Sequence, residues 1–258
     1  MAGRAMGHEM MSFDHRDGNN ILGPLTALDN FHADSVIHLA GVLGTHELFD
    51  NVHGAIDVNI HGTVKILDWC RYANAGYVGI TMPPVFPSVY TATKICVDRL
   101  ATAWRREFGV PVAKVRAFNA FGPGQAYGEG HPQKIIPTFA VHAWQRRPIP
   151  IWGDGNQTVD LIDVAQIARI LIEATQHGDD VTIDAGSGVQ YTVNEIASFV
   201  ADVTGSLIPH EYLPMRRGEE PTSIVAQREG WDRLSFTPGL DMDALEQTIH
   251  AYHTLAKS

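Results

Sequence analysis

The chain has 258 residues, enough at roughly 100–200 residues per domain for one large domain or one domain with a smaller lobe. Its 45% hydrophobic content is ordinary for a globular protein, and its formal net charge of −10 argues against nucleic acid or an anionic membrane as the main partner. Two lone cysteines, Cys70 and Cys96, make neither a disulfide framework nor a zinc motif and fit a reducing cytoplasm. No apolar run is long enough for a transmembrane helix, the first residues carry no signal-peptide pattern, and the 13 histidines lack ligand spacing, so no metal is expected.

Short apolar runs alternate with amphipathic segments. Met10–Phe13 reads as a strand ending at Asp14. A helical stretch leads to a second run, Ser35–Leu39, followed by the small pair Ala40-Gly41. Ile56, Ile60, Val64 and Leu67 then recur at about four residues, the helical period. Tyr77–Thr81 is the next strand, stopped by Pro83-Pro84, and Thr91–Phe108 a long helix stopped by Gly109 and Pro111. Val112–Val115 is a strand running into Arg116 and a loop rich in glycine, proline and asparagine. Val181–Asp184 is a late strand, and Val193–Val203 a helix with Thr192 near its start and Gly205 near its stop.

Strands alternating with helices imply βαβ units, a parallel sheet and a doubly wound α/β fold. Residues 1–124 read as the core, to which residues 181–188 return. Residues 125–180 and 189–258, richer in Pro, Arg and Trp, read mainly as a lobe against the sheet's carboxyl edge, where open α/β sheets bind ligands.

Tyr90 and Lys94 stand four residues apart at the start of a helix, which places phenol and ammonium on one face. A neighbouring cation favours phenolate, lowering the phenol from its ordinary pKa of about 10. A tyrosine tuned in this way can take or give the proton of a sugar hydroxyl. Taken alone, the pair also fits an ordinary surface contact.

An ordered series of motifs surrounds the pair. Val36-Ile37-His38-Leu39-Ala40-Gly41 closes a strand, and Asn59-Ile60-His61-Gly62-Thr63 opens a helix. Arg116-Ala117-Phe118-Asn119-Ala120-Phe121-Gly122-Pro123-Gly124 is followed by Ile151-Trp152-Gly153-Asp154-Gly155-Asn156-Gln157-Thr158 and by Arg216-Arg217-Gly218-Glu219. From about Gly7 to His253 the chain resembles the extended short-chain dehydrogenases that act as NAD-dependent nucleotide-sugar epimerases and dehydratases.

The resemblance implies a Rossmann-like sheet with a small C-terminal substrate lobe. It assigns Tyr90, Lys94 and Thr81 to catalysis. Asp14, His38, Leu39, Ala40, Gly41, Asn59 and Phe118, with Tyr90 and Lys94, would contact NAD. Asn119, Lys134, Gln157 and Arg216 would contact a sugar nucleotide. Arg216 can grip phosphate oxygens with its planar fork. A homodimer through the helices around Asn59–Trp69 and Tyr90 is also implied, although Val64, Leu67, Ile95 and Leu100 there fit a core equally well.

The pattern breaks in three places. No G-x-x-G-x-x-G loop, whose helix N-terminus would receive a pyrophosphate, occurs in the chain; it reads as starting beyond that loop, N-terminally truncated, and Asp14 then falls where an acid meets the adenosine ribose. Met82 stands where the family places a Ser or Thr, with Thr81 one residue away, and the loop on to Tyr90 is short. Val159 stands where many members carry an arginine. Two other readings stay open: a degenerate homologue that binds a sugar nucleotide or a partner without turnover, and a small-carbonyl reductase. The missing loop predicts weak NAD binding by this polypeptide and tight binding by one extended upstream with a strand and glycine loop; equal affinities by calorimetry would contradict it.

Overall fold

A computed structural model describes residues 2–83 and 85–256. Helices α1 (Ala2–Ala5) and α2 (Thr26–Phe31) precede strand β1 (Ser35–His38). Helix α3 (Val52–Ala55) runs through a π-helical stretch, Ile56–His61, into α4 (Gly62–Ala73). Strand β2 (Gly76–Thr81), helix α5 (Val89–Phe108) and strands β3 (Val112–Ala117) and β4 (Asn119–Phe121) follow. Next come α6 (Ile135–Trp144), β5 (Pro150–Trp152), β6 (Thr158–Val159), β7 (Leu161–Asp163) and α7 (Val164–Ala174). Strands β8 (Asp179–Ala185) and β9 (Tyr191–Thr192), helix α8 (Val193–Thr204), strand β10 (Glu211–Leu213) and helix α9 (Met242–Leu255) complete the order.

Four strands form the main sheet in the order β1-β2-β3-β8, every pair parallel. Successive residues face opposite sides, as a strand's pleat requires. Tyr77 and Val112 join Ile66, Leu67, Trp69 and Ala101 on one face, under α4 and α5. Val78, Ala113 and Val115 join Ile162, Ile167, Ile170 and Ile183 on the other, under α7. A separate apolar cluster holds Phe139, Ile151, Val200, Leu245 and Ile249, from β5, α6, α8 and α9. Helix α7 lies within the 125–180 stretch but covers the sheet instead of joining this cluster.

Most of the expected elements are present with ends shifted by a few residues. One is not. Met10–Phe13 forms no strand: a strand needs a ladder partner, and none of the described strands pairs with it. Met11 and Phe13 instead lay their side chains on the apolar cluster under α4 and α5. Strand β2 ends at Thr81, and Pro84 of the expected Pro83-Pro84 stop lies outside the described residues.

Two buried aspartates tie distant segments to the carboxyl ends of the strands. Asp160 accepts from Ser187 N at 2.6 Å, Ser187 Oγ at 2.7 Å, Gly188 N at 3.0 Å and Ala226 N at 2.9 Å. Asp184 accepts from Gln227 N at 2.7 Å and from Arg116 Nη1 at 2.8 Å, and the same guanidinium reaches Glu229. The Arg116 of the glycine-rich loop motif is therefore spent on holding the 225–229 segment. Asp160→Ala would strand three buried N–H groups, so it is expected to lower stability by roughly 3 kcal/mol or more in urea unfolding; a loss under about 1 kcal/mol would contradict this role.

Candidate active site

The sequence Ser88-Val-Tyr-Thr91 sets the start of α5. Ser88 and Thr91 form a reciprocal cap, Thr91 N donating to Ser88 Oγ at 3.1 Å and Ser88 N to Thr91 Oγ1 at 2.7 Å. Tyr90 thus sits in the first turn, with Lys94 one turn on. The Lys94 ammonium lies 5.9 Å from the centre of the Tyr90 ring, so the pair does share a face.

Loop residues after β1 close over this pair. A Cβ added at Gly41 would lie 3.0 Å from Asn59 Oδ1 and 3.8 Å from Lys94 Nζ, so the backbone there runs directly beside both groups. Asn59, 2% exposed, sits in the π-helical stretch. Its Oδ1 accepts from Val42 N at 2.8 Å, while its Nδ2 donates to Val42 O and to Thr93 Oγ1, both at 3.1 Å. Thr93 Oγ1 in turn donates to Tyr90 O at 2.9 Å. Behind Asn59, Thr63 Oγ1 donates to Asn59 O at 2.5 Å and lies 3.0 Å from His38 Nε2. Since the hydroxyl proton is already used, His38 is the donor of that contact. His38 is buried, and burial first and the Lys94 charge second push it down to about 4.

Burial governs the electrostatics of the pair. It pushes Tyr90 up to about 12 and Lys94 down to about 8. The expectation that Lys94 lowers the phenol is reversed, because a poorly solvated site penalises phenolate and ammonium alike. Thr81, also buried, ends β2 opposite Arg116 and is followed by the half-buried Met82. Leu39 is 57% exposed, and Ala40 is exposed beside it.

A second group gathers around Arg216. Its Nε and Nη2 each reach Glu219 at 2.8 Å, and its guanidinium lies 5.0 Å from the ring of Trp152. Lys134, immediately before α6, is within electrostatic reach of Glu47, Arg216 and Glu219. Gln157 Nε2 donates to Trp152 O at 2.7 Å, while its Oε1 is buried without a partner among the described residues. Asn119 is exposed at the start of β4, and Phe118 packs at Gly186. Val159 pairs with Tyr191.

Asp14 belongs to neither group. Arg16 grips its carboxylate through Nε and Nη2, both at 2.8 Å, and holds it well below the usual carboxylate range. Asp14 also accepts from Arg16 N, so it caps a short turn. Sequence reasoning missed Thr45, Thr93 and Glu47. Only Thr93 left a trace, as a polar residue between Tyr90 and Lys94.

Gly41, Asn59, Tyr90 and Lys94, four of the residues expected to contact NAD, thus come together in one cradle with the polar groups a ribose would need. For the diphosphate, no glycine-rich strand and loop lies among the described residues, and Asp14, expected at the adenosine ribose, is paired with Arg16.

A parallel sheet covered on both faces, with a tyrosine–lysine pair at one helix start, is the setting in which the comparisons fall. The model of the NAD dependent epimerase/dehydratase family matches residues 23–186, more than half of the chain, and the chain belongs to that family. A UDP-glucuronate 4-epimerase from Thermodesulfobacterium geofontis is 24% identical over 263 residues, which cover 94% of this chain and 79% of that protein. Other relatives are dTDP-glucose 4,6-dehydratases and a UDP-glucose 4-epimerase, and this chain spans 43% to 64% of the length of four of them. Among solved structures, an epimerase from Methanothermobacter thermautotrophicus superposes with a TM-score of 0.83 at 23% identity, covering 93% of this chain and 79% of that one. A UDP-glucuronic acid 4-epimerase from Bacillus cereus, solved with UDP-glucuronic acid and NAD, gives 0.79 at 20% identity, covering 93% and 80%. The fold is that of Rossmann-type epimerases.

Lys94 loses its proton near pH 8 in the folded chain and near 10.5 when unfolded. Between those values the unfolded chain binds more protons, so the stabilities should diverge with pH. Stability relative to Lys94→Met is expected to rise from about pH 8 to 10.5, read from urea midpoints, and a difference that stays flat would contradict the buried ammonium.

Proposed function

We propose that the chain acts on a sugar nucleotide as an NAD-dependent epimerase or dehydratase. The observation that carries this reading is the convergence of Tyr90, Lys94, Asn59 and the Gly41 backbone within one buried cradle. NAD, when bound, supplies a reversible hydride acceptor. Tyr90 moves the proton of the reacting hydroxyl. Lys94 would hold the nicotinamide ribose, and a polar partner there would return the solvation that burial removes. An ammonium recovered in that way would draw the phenol back toward a working range, the change that the dry site alone opposes. Thr81 stands in for the hydroxyl helper that Met82 does not supply.

The residues of the second cluster take the sugar nucleotide. Arg216 and Lys134 supply positive charge for its diphosphate, Gln157 Oε1 offers an unused acceptor, and Asn119 presents an amide at the strand edge. The sheet side would then hold the cofactor and the lobe the substrate. A homodimer through α4 and α5 is consistent with Tyr72 and Ile95, 79% and 57% exposed on them, while Leu67 is core. No helix among the described residues is long and apolar enough to cross a membrane, and a cytoplasmic location is part of the proposal. Met82 favours a second reading, a homologue that binds a sugar nucleotide without turnover.

The two readings part on turnover. With NAD added, a panel beginning with UDP-glucuronic acid and UDP-glucose is expected to give an epimer or a dehydrated product without net NADH formation. Tyr90→Phe should cut that rate by roughly a hundredfold or more while leaving UDP affinity unchanged. UDP binding without any product would favour the non-catalytic reading, and a Tyr90→Phe protein at full rate would remove Tyr90 from the chemistry.

A further inference from the structure

We propose that Thr45 is a positioning residue for sugar-nucleotide binding, acting on Arg216 through Glu219. The proposal rests on Arg216 as the diphosphate cation and adds to that reading a residue 174 positions before Glu219 in sequence. The Thr45 hydroxyl donates to Glu219 Oε1. Glu219, with its side chain only 9% exposed, places both carboxylate oxygens on the Nε and Nη2 side of Arg216, each at 2.8 Å. That leaves Nη1 for other partners; it reaches Gln133 Oε1 only at a long 3.4 Å. The Trp152 ring beneath, 5.0 Å away, limits tilting of the guanidinium plane. Arg216 is thus a fork with one edge fixed by protein and the other turned to a ligand. Charge-assisted contacts of this kind are the ones able to orient a guanidinium.

A second set of contacts holds the same two loops together. Arg217 Nη1 reaches Asp50 at 3.5 Å, and its guanidinium lies 5.1 Å from the Phe49 ring. Gly218, at φ +74, lies so close that an added Cβ would fall 2.3 Å from Phe49 Cε2. The 45–50 loop is the direct continuation of the Gly41–Val42 segment that Asn59 pins beside Lys94. Thr45 therefore sets the diphosphate cation from the same loop that lines the tyrosine–lysine cradle.

The test uses the full chain and whichever of UDP and dTDP it takes more tightly, together with the matching nucleoside, by calorimetry and NMR titration. Thr45→Val is expected to weaken the diphosphate about tenfold and leave the nucleoside unchanged, with Thr45→Ser restoring the loss. An unchanged diphosphate affinity in Thr45→Val overturns the proposal, and so does equal weakening of nucleoside and diphosphate, or a serine that fails to rescue. Arg216→Ala separates the two levels. If it weakens the diphosphate while Thr45→Val does not, only the relay is wrong; if it changes nothing, the reading of Arg216 falls and the relay with it.

Discussion

Asn59 is almost without water, so each polar atom of its amide must find protein, and the groups it finds come from two different parts of the chain. Val42 follows β1, whereas Thr93 belongs to the first turns of α5. One side chain thereby fixes the distance between the loop after the first strand and the helix that carries Tyr90 and Lys94. The local widening of the helix between Ile56 and His61 is where this residue sits, and such widenings are frequent at functional sites. Thr63 and His38 hold the carbonyl of the same residue from behind, so side chain and backbone are both restrained.

Dryness follows from this closure. Gly41 and Asn59 leave little room for solvent around Lys94, and both members of the tyrosine–lysine pair are driven toward neutrality. The arrangement is a poor place for isolated charge and a good one for charge that a ligand completes. Around Arg216 the balance is different. Two carboxylates and two cations stand together, and the guanidinium already has a partner on one edge. One site is tuned by absence of water, the other by fixed counter-charges.

Much of this was legible in the sequence, for physical reasons that differ between residues. Apolar runs flanked by small residues located the strands because buried parallel strands have no polar face to show. Tyr90 and Lys94 were legible because helical spacing alone decides that they share a face. Met10–Phe13 misled because an apolar run cannot reveal whether a neighbouring strand exists to pair with it. Asp14 shows how little one acid tells, because a side chain that caps a turn and one that meets a ribose look identical in sequence; here it caps the turn that Arg16 closes. Arg116 sits in a motif yet serves Asp184 and Glu229, partners 68 and 113 residues away. The direction of the Tyr90 shift was misjudged because helical spacing gives proximity to a cation but not the solvation that decides which form is favoured.

The position of β8 in the sheet has a consequence for how the chain is made. During synthesis from the N-terminus, β3 emerges long before its partner Asp179–Ala185, and most of the lobe's first half must be produced in between. Helix α1 packs against α7, so Ala2–Ala5 also wait for Val164–Ala174. Parallel pairing allows no hairpin to shorten the wait of β3. A nascent chain halted before β8 would leave β3, an inner strand of the finished sheet, as an open edge for the time that translation takes to reach its partner. Open edges of that kind template association between chains. The late return of a single strand thus leaves the apolar strand at the middle of the sheet without one of its neighbours while the intervening residues are made.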